Sequence, residues 1–533
     1  MSLKISNLRL ELDQPEEGLT TTLADRLGVP PTDITSLRIL RKSLDARRHD
    51  EPHFMYAVEV EIPAFESAIP SRRGDLHIER FADEIFDWPQ PGTTSIRHRP
   101  LIVGAGPAGL FAGYFLALSG YQPLILERGR EVKDRVADVR TFDEGGPIDP
   151  ESNYLFGEGG AGTFSDGKLT SRNTGPDVRK VLEVLAECHG KPSILYDNRP
   201  HLGSNRLPLI VRTLRRKIEN LGGEVRFSSR VEDFDLADGG IRGVSTSRGH
   251  VEGDVVVLAI GHSARDTYGI LLRRGVPLEA KPFQLGVRIE QPQEQINHAR
   301  YGAFSDHPSL GAADYNLSVK AGKGDLFTFC MCAGGFVMPS VSEPGYFCTN
   351  GMSESRHDSP FANSGLVMTI TPEQTGSTHP LAGVHYQQRA ERLAYLSTSH
   401  TYAAPIQRVG DFLEDRPSRG KIPSSHKRGA VASDLGLILP PLVLETLMRG
   451  LPAMDRRFGG MFLKNATLTG PESRGSSPVR IPRDDRTKQS TTIAGLFPCG
   501  EGAGYAGGII SAAVDGLRTA RAIVEQYAPL ARS

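Results

Sequence analysis

The segment "RPLIVGAGPAGLFAGYFLALSGYQPLILERG" restricts the fold more than any other part of the chain. It reads as an apolar strand, a glycine turn, an apolar helix and a second strand ending on Glu127, with Gly104, Gly106 and Gly109 in G-x-G-x-x-G spacing. The first glycine permits the tight turn, the second lets a diphosphate reach the backbone, and the third lets helix and strand touch. The helix start at Pro107 and Ala108 then offers unpaired N–H groups and a positive dipole end to phosphate. Glu127, 18 residues after Gly109, stands where an acid accepts hydrogen bonds from an adenosine ribose, with Arg128 beside it. An acid at that place disfavours a 2'-phosphate, so FAD or NAD fits better than NADP. The segment predicts a parallel, doubly wound α/β (Rossmann-like) dinucleotide domain.

A chain of 533 residues is long enough for two or three domains with a cleft between them. Residues 1–95 read as a separate small α+β domain: "LKISNLRLEL" alternates like a strand, "TTTLADRLG" like a short helix, and "TSLRILRKSLDARR" with "HFMYAVEVEI" like an antiparallel pair. A proline-containing linker leads to the first part of the dinucleotide domain, 96–280, which has further strands at 224–229 and 254–261. Period-two segments such as "QLGVRIE", "DLFTFCMC" and "GLVMTIT" predict a mixed-sheet α+β substrate domain over 281–460, and residues 461–533 close the dinucleotide domain.

Composition excludes several classes. With 62 basic and 63 acidic residues, the net charge of -1 offers no global field for nucleic acid or an anionic membrane. The longest apolar run, Gly109 to Gly120, falls short of the roughly 20 residues that span a bilayer. The first residues lack a secretory pattern, and five cysteines at no metal-like spacing suit a reducing compartment, so a cytoplasmic protein without a metal site is expected.

The identity of the dinucleotide follows from two later motifs. "VVLAIGHSA", an apolar strand ending at Gly261, resembles the middle motif of flavoproteins with two dinucleotide-binding domains, and "TTIAGLFPCGEGAGYAGGI" resembles their closing motif. Together with "FGEGGAGTFSDGKL", "FQLGVRIE", "APIQRVGDFL" and "SSPVRI", these segments resemble the uncharacterised FAD-dependent dehydrogenases of bacteria and plastids, relatives of the glutathione-reductase-like flavoproteins, over roughly residues 97–525. The resemblance implies FAD as cofactor. It implies contacts from Gly159, Gly160 and Thr163 in the second glycine loop, from Val231, and from Gly500, Glu501, Gly507, Gly508 and Ile509 in the closing motif. No second G-x-G-x-x-G with its own strand and acid appears, and no C-x-x-x-x-C pair lies beside the first, which disfavours a disulfide reductase.

Candidate catalytic residues lie next to these loops. His262 ends a strand at the cofactor edge and could donate the proton that accompanies hydride transfer. The alternative there is structural, with Asp266 as a helix N-cap and Arg265 paired locally. Lys168, with Ser165 and Asp166, could present a donor near flavin N5, against a reading of Asp166 as a turn cap and Lys168 as solvated. Arg474 and Arg480 could grip a substrate carboxylate or phosphate or form an interdomain salt bridge. Cys330 and Cys332, two apart in an alternating strand, share one face as small buried hydrophobes, and Cys499 packs beside the cofactor. The basic cluster at 38–49 is a solvated hairpin face or a docking patch for an acidic partner.

These readings predict an FAD-dependent oxidoreductase that moves a hydride at flavin N5 to or from a small organic substrate, with an unidentified electron partner. Two rival readings are a flavin monooxygenase and a flavin-bearing binding or RNA-associated module.

Overall fold

Apolar three-residue strands at Leu101–Val103, Leu124–Leu126 and Val256–Leu258 are buried on both faces and form the centre of a parallel sheet. Its order is Leu496–Pro498, Val256–Leu258, Leu101–Val103, Leu124–Leu126, Glu224–Arg226. The strand after residue 495 thus lies beside one from the middle of the chain, and the dinucleotide domain is assembled from two distant segments. This computed structural model describes residues 2–47, 51–63, 72–171 and 173–530.

The helix Pro107–Leu118 is buried on nearly all sides because helices Leu207–Asn220 and Ile509–Gln526 cover what the sheet leaves open. Such a helix needs small residues at its contacts. A Cβ on Gly109 would overlap the carbonyl oxygen of Gly104, and a Cβ on Gly516 would overlap the carbonyl oxygen of Ala108. Gly104 itself has φ +104°, a conformation L side chains rarely adopt.

The substrate domain carries a seven-stranded sheet. Its core strands Phe283–Pro292 and Phe361–Ile370 pair antiparallel in unbroken register from Phe283↔Ile370 to Pro292↔Phe361. Both read as almost continuous buried runs, since the helix Pro441–Arg457 covers part of one face. Thr467–Glu472 pairs with both Phe283–Pro292 and Ala404–Arg408, so the chain leaves this sheet only after residue 472. The boundary expected at 461 therefore moves: the returning segment supplies an interior strand of the substrate sheet before it re-enters the dinucleotide domain.

The alternation expected at Cys330 and Cys332 also fails. Phe329 faces Gly365 but Cys332 faces Asn363, which leaves one extra residue on the Asp325–Cys332 strand. This β-bulge puts Cys330 at φ +49°, exposed, while Cys332 is buried.

The N-terminal domain is an antiparallel sheet, Ser36–Asp45, His53–Glu61, Ser2–Glu11, Leu76–Arg80, Arg72–Arg73, with helix Leu19–Leu27 supplying leucines to its core. Three cations of its basic hairpin are paired, Arg38 with Glu59 and Asp83, Lys42 with Glu16, and Arg47 with Asp45, while Arg41 donates to Asn198. Arg48 and His49 of that cluster lie outside the described residues. No helix among the described residues is long and apolar enough to cross a membrane.

Gly516→Ala tests the close helix contact by sign. Helix propensity alone favours alanine by about 1 kcal/mol, whereas overpacking against backbone costs about 1–3 kcal/mol or more. A lower thermal midpoint is expected; an unchanged or higher one shows that the contact does not govern the packing.

Candidate functional site

A cleft of about 270 Å³ opens where the two domains meet. Two helices begin on it: Pro107–Leu118 behind Gly106 and Ile509–Gln526 behind Gly508, neither with a side-chain cap. Their first-turn N–H groups are left for a ligand, and their dipoles favour negative charge there. Gly508 sits at φ +79°, and Gly160 lies so close to Gly106 that a Cβ on it would stand 3.0 Å from the Gly106 Cα. An extended dianion with an aromatic ring system fits this wall. The residues present suit a flavin dinucleotide, whose diphosphate the first helix would hold and whose pyrimidine edge the second would hold.

Gly104, Gly106, Pro107, Ala108, Glu127, Arg128, Gly160, Val231, Gly261, Glu501, Gly508 and Ile509 line the cleft as the sequence suggests. Gly109, Gly159, Thr163, Gly500 and Gly507 do not; four of them hold the wall from behind or within its loops. Thr163 is fully buried and its hydroxyl donates to the Glu158 carbonyl, while Gly159 N–H donates to Ala105 O. Gly500 N–H donates to Asp515 Oδ2 at 2.7 Å, and Arg483 grips the same carboxylate at 2.6 and 2.9 Å. The expected ribose acid has a different main task. Glu127 accepts the N–H groups of Ala105, Gly129 and Gly157 at 2.8–3.0 Å, joining three loops and leaving about one lone pair for a ribose. Arg128 lies 4.1 Å over the Phe156 ring and pairs with Glu151 and Asp266.

That pairing also corrects the reading of Asp266. The helix Arg265–Arg273 is preceded by Ala264 with no side-chain cap, and Asp266 turns to Arg128 instead. Arg265 pairs at long range: it donates to Glu391 at 2.7 and 2.8 Å, to Glu343 and to Gln387. Arg474 joins the same cluster. Its Nε donates to Glu391, its Nη1 to Ser263 and Ser342, and its Nη2 to Glu343 and Glu391. All five guanidinium N–H donors are used, so Arg474 lines the cleft but has no fork left for a substrate anion. Although burial opposes it, the two guanidiniums hold the Glu391 carboxyl well below the usual carboxylate range. Arg480 is outside the cleft altogether, 5.1 Å from the Tyr505 ring centroid.

The two proton candidates change roles as well. Burial, reinforced by the positive charges of Arg474 and Arg265, pushes the His262 imidazole down to about 3, so it is neutral at physiological pH and is no imidazolium donor. Its Nε2 is buried without a hydrogen-bond partner. Its Nδ1 lies 3.5 Å from Glu501 Oε1, and burial pushes the Glu501 carboxyl up to about 7, against the opposing charge of Lys281. The group in this wall that exchanges a proton near neutrality is therefore Glu501. Lys168 lines the cleft, but its ammonium is held by Asp166 Oδ2 at 2.7 Å and by the Met331 carbonyl. Burial works against the charge, yet the Asp166 carboxylate raises the ammonium above its usual range, so Lys168 is a fixed cation and a poor acid. Cys499 is fully buried and accepts from Thr519, and burial raises its thiol.

Several wall residues were not among the site residues the sequence suggested. Phe329, Cys330, Ser340 and Asn350 come from the substrate domain, and they reach the cleft through the bulge and through a two-stranded ribbon, Gly335–Pro339 with Thr349–Ser353. Arg135, in the middle of an ordinary amphipathic helix, is buried and donates to the carbonyls of Asn153, Gly157 and Glu158, which shapes the second glycine loop.

Comparison with known proteins agrees with this architecture. Residues 282–475 match the family described as FAD-dependent protein, C-terminal domain-like, residues 102–160 an NAD(P)-binding Rossmann-like domain, and residues 2–61 a domain of unknown function. Among solved structures, the chain is similar to quinol fumarate reductase FrdA of Escherichia coli (TM-score 0.36, 13% identity, covering 81% of this chain and 70% of that one). It is also similar to glycine oxidase of Bacillus cereus (TM-score 0.33, 13% identity, covering 81% and 98%). An uncharacterised protein of Clostridium beijerinckii is 40% identical over 531 residues, 99% of each chain. FAD is the dinucleotide of this fold. With its Rossmann and FAD-dependent segments and a relative matched along its whole length, the chain belongs to a family of FAD-dependent oxidoreductases.

Proposed function

We propose that this protein transfers a hydride between flavin N5 and an uncharacterised organic substrate held against the substrate-domain wall of the cleft. The observation that carries the reading is the convergence of two uncapped helix N-termini and a proton-exchanging carboxyl, Glu501, on one interdomain cleft. The three dinucleotide motifs, in order, support kinship with the glutathione-reductase-like flavoproteins, here with a single dinucleotide domain. Its five free cysteines support a cytoplasmic location.

Bound FAD would supply two electrons and a hydrogen as hydride at N5. The chain's own residues do the remaining work. The unpaired N–H groups at the start of Ile509–Gln526 would hold the flavin's pyrimidine edge and would stabilise negative charge there without reorganisation. Glu501 gives or takes the accompanying proton, since a carboxyl near 7 is populated in both forms at neutral pH. Neutral His262 stands beside Glu501, its Nδ1 3.5 Å from Oε1. The buried Arg265–Glu391–Arg474 cluster fixes the substrate domain against the flavin side, so that the distance between the two walls is set before substrate arrives.

The purified protein is expected to retain FAD, seen as visible flavin absorbance that a substrate or reductant bleaches; a protein that folds and retains no flavin overturns the reading.

Glu501 gives a second expectation, with a definite sign. Its carboxyl rises from 4.5 to about 7 in the folded state, so its contribution to stability is full below 4.5 and is lost as pH rises through 7. At about 1.4 kcal/mol per pKa unit, that loss is at most about 3 kcal/mol, less because 23% of the side chain touches cleft water. Subtracting the flavin-free stability of Glu501→Gln from that of wild type between pH 5 and 8 cancels the opposite contribution of His262 and isolates this slope. With flavin bound, the pH profile of its reduction is expected to lose its step near 7 in Glu501→Gln and keep it in His262→Gln. Retention of the step in Glu501→Gln would remove Glu501 from the proton path.

A further inference from the structure

We propose that the substrate wall is built for an uncharged, conjugated carbonyl compound, such as an enone or a quinone, whose oxygen is received by Lys168, Asn350 and Ser340. The inference rests on the hydride-transfer reading above and names its substrate class.

The charge balance of the wall comes first. Every cation that reaches it has an anion already: Lys168 has Asp166 at 2.7 Å, Arg474 has Glu391 and Glu343, and Arg288, buried behind Asn350, has Glu472 at 2.7 Å. Among the described residues that line the cleft, no cation is left without an anion; Lys281, whose charge acts on Glu501, is not part of that lining. Glu501, partly ionised near neutrality, would repel one. Bringing an anion into such a site carries a desolvation penalty that no free cation offsets.

What remains unused in the wall is hydrogen-bond donors. Lys168 has three N–H bonds, of which Asp166 and the Met331 carbonyl take two. Asn350 accepts from Arg288 Nη2 at 3.1 Å and from Gly351 N–H at 2.8 Å; both partners are donors, so its oxygen must face them and its amide NH2 points elsewhere, without a protein acceptor among the described residues. The Ser340 hydroxyl is buried to within 1% and has no partner.

Topology brings these three groups together. In the ribbon, Met338 pairs with Asn350, and Ser340 N–H donates to Cys348 O, so Ser340 lies diagonally across from Asn350 on the same face. Arg288 bridges Asn350 Oδ1 and the Cys330 carbonyl, one residue from the carbonyl that holds Lys168. Phe329 and Cys330 supply apolar surface beside the donors. A planar carbonyl compound meets both halves of this wall: its ring contacts Phe329, and its oxygen accepts from fixed donors that also stabilise the charge reaching that oxygen when hydride adds to carbon.

The test uses the oxidised, FAD-loaded protein without turnover. The probes are 2-cyclohexenone and, with the same ring, cyclohexene-1-carboxylate; dialysis gives affinity, and the infrared stretch of a 13C-labelled carbonyl reports polarisation. The enone is expected to bind at least tenfold more tightly than the carboxylate, with its C=O stretch shifted to lower frequency. Asn350→Asp keeps the oxygen that Arg288 needs and replaces the donor amide by an acceptor; it is expected to weaken enone binding tenfold or more and to reduce the shift. Ser340→Ala, whose hydroxyl holds nothing in the fold, is expected to weaken it about fivefold. Tighter binding of the carboxylate, no enone binding, or an unchanged affinity and carbonyl shift in both variants overturns the proposal. Flavin bleaching is scored separately: a protein that binds the enone but is never bleached loses the hydride reading alone, and one that is bleached without enone affinity loses this substrate class alone.

Discussion

Backbone packed directly on backbone is the contact from which the rest of the site follows. Glycines at 109, 160 and 516 remove the side chains that would separate the first helix from its strand, from the second glycine loop and from the C-terminal helix. With those three contacts made, two helices separated by nearly the whole chain start at the edge of one cleft. Their uncapped N–H groups become a ligand site through position alone. A methyl group at 109 or 516 would overlap a backbone carbonyl oxygen, and one at 160 would press on the Gly106 Cα.

The second constraint is electrostatic and acts between domains. Glu391 from the substrate domain is fully buried between Arg265, which opens a helix of the dinucleotide domain, and Arg474, on the returning chain. Removing one member of such a cluster leaves a buried charge without its partner, a loss of about 3–5 kcal/mol. The cluster therefore holds the two walls at fixed separation. It also explains why the arginines best suited to bind an anion do not do so: their N–H groups are consumed in the lock. The cleft is left with paired charges and unused donors, and the proposed proton role of Glu501 and the proposed uncharged carbonyl substrate both rest on that balance.

Much of the fold was legible in the residues. The βαβ glycine spacing and the period-two segments of the substrate domain occur where local pattern places them. The errors share a cause. The chain re-enters the substrate sheet through Thr467–Glu472, and one inserted residue turns Cys330 outward, because strand pairing is decided by distant partners whose register no local period records. Glu127 was found as the acid at the strand end, yet three loop N–H groups, invisible in sequence, take most of its oxygen capacity.

By itself the sequence determined the dinucleotide motif and most of the dinucleotide-domain side of the cleft, because glycine spacing and strand-to-helix periodicity are properties of neighbours in the chain, and its family resemblance pointed to FAD. Only the tertiary structure decided the chemistry of those residues. Burial leaves His262 neutral and makes Glu501 the proposed proton carrier, Arg474 is taken up by an ion cluster, and Ser340 and Asn350 join the wall from the other domain. The reason is that pKa and hydrogen-bond availability depend on burial and on charges within a few ångströms, and those neighbours come from parts of the chain hundreds of residues away.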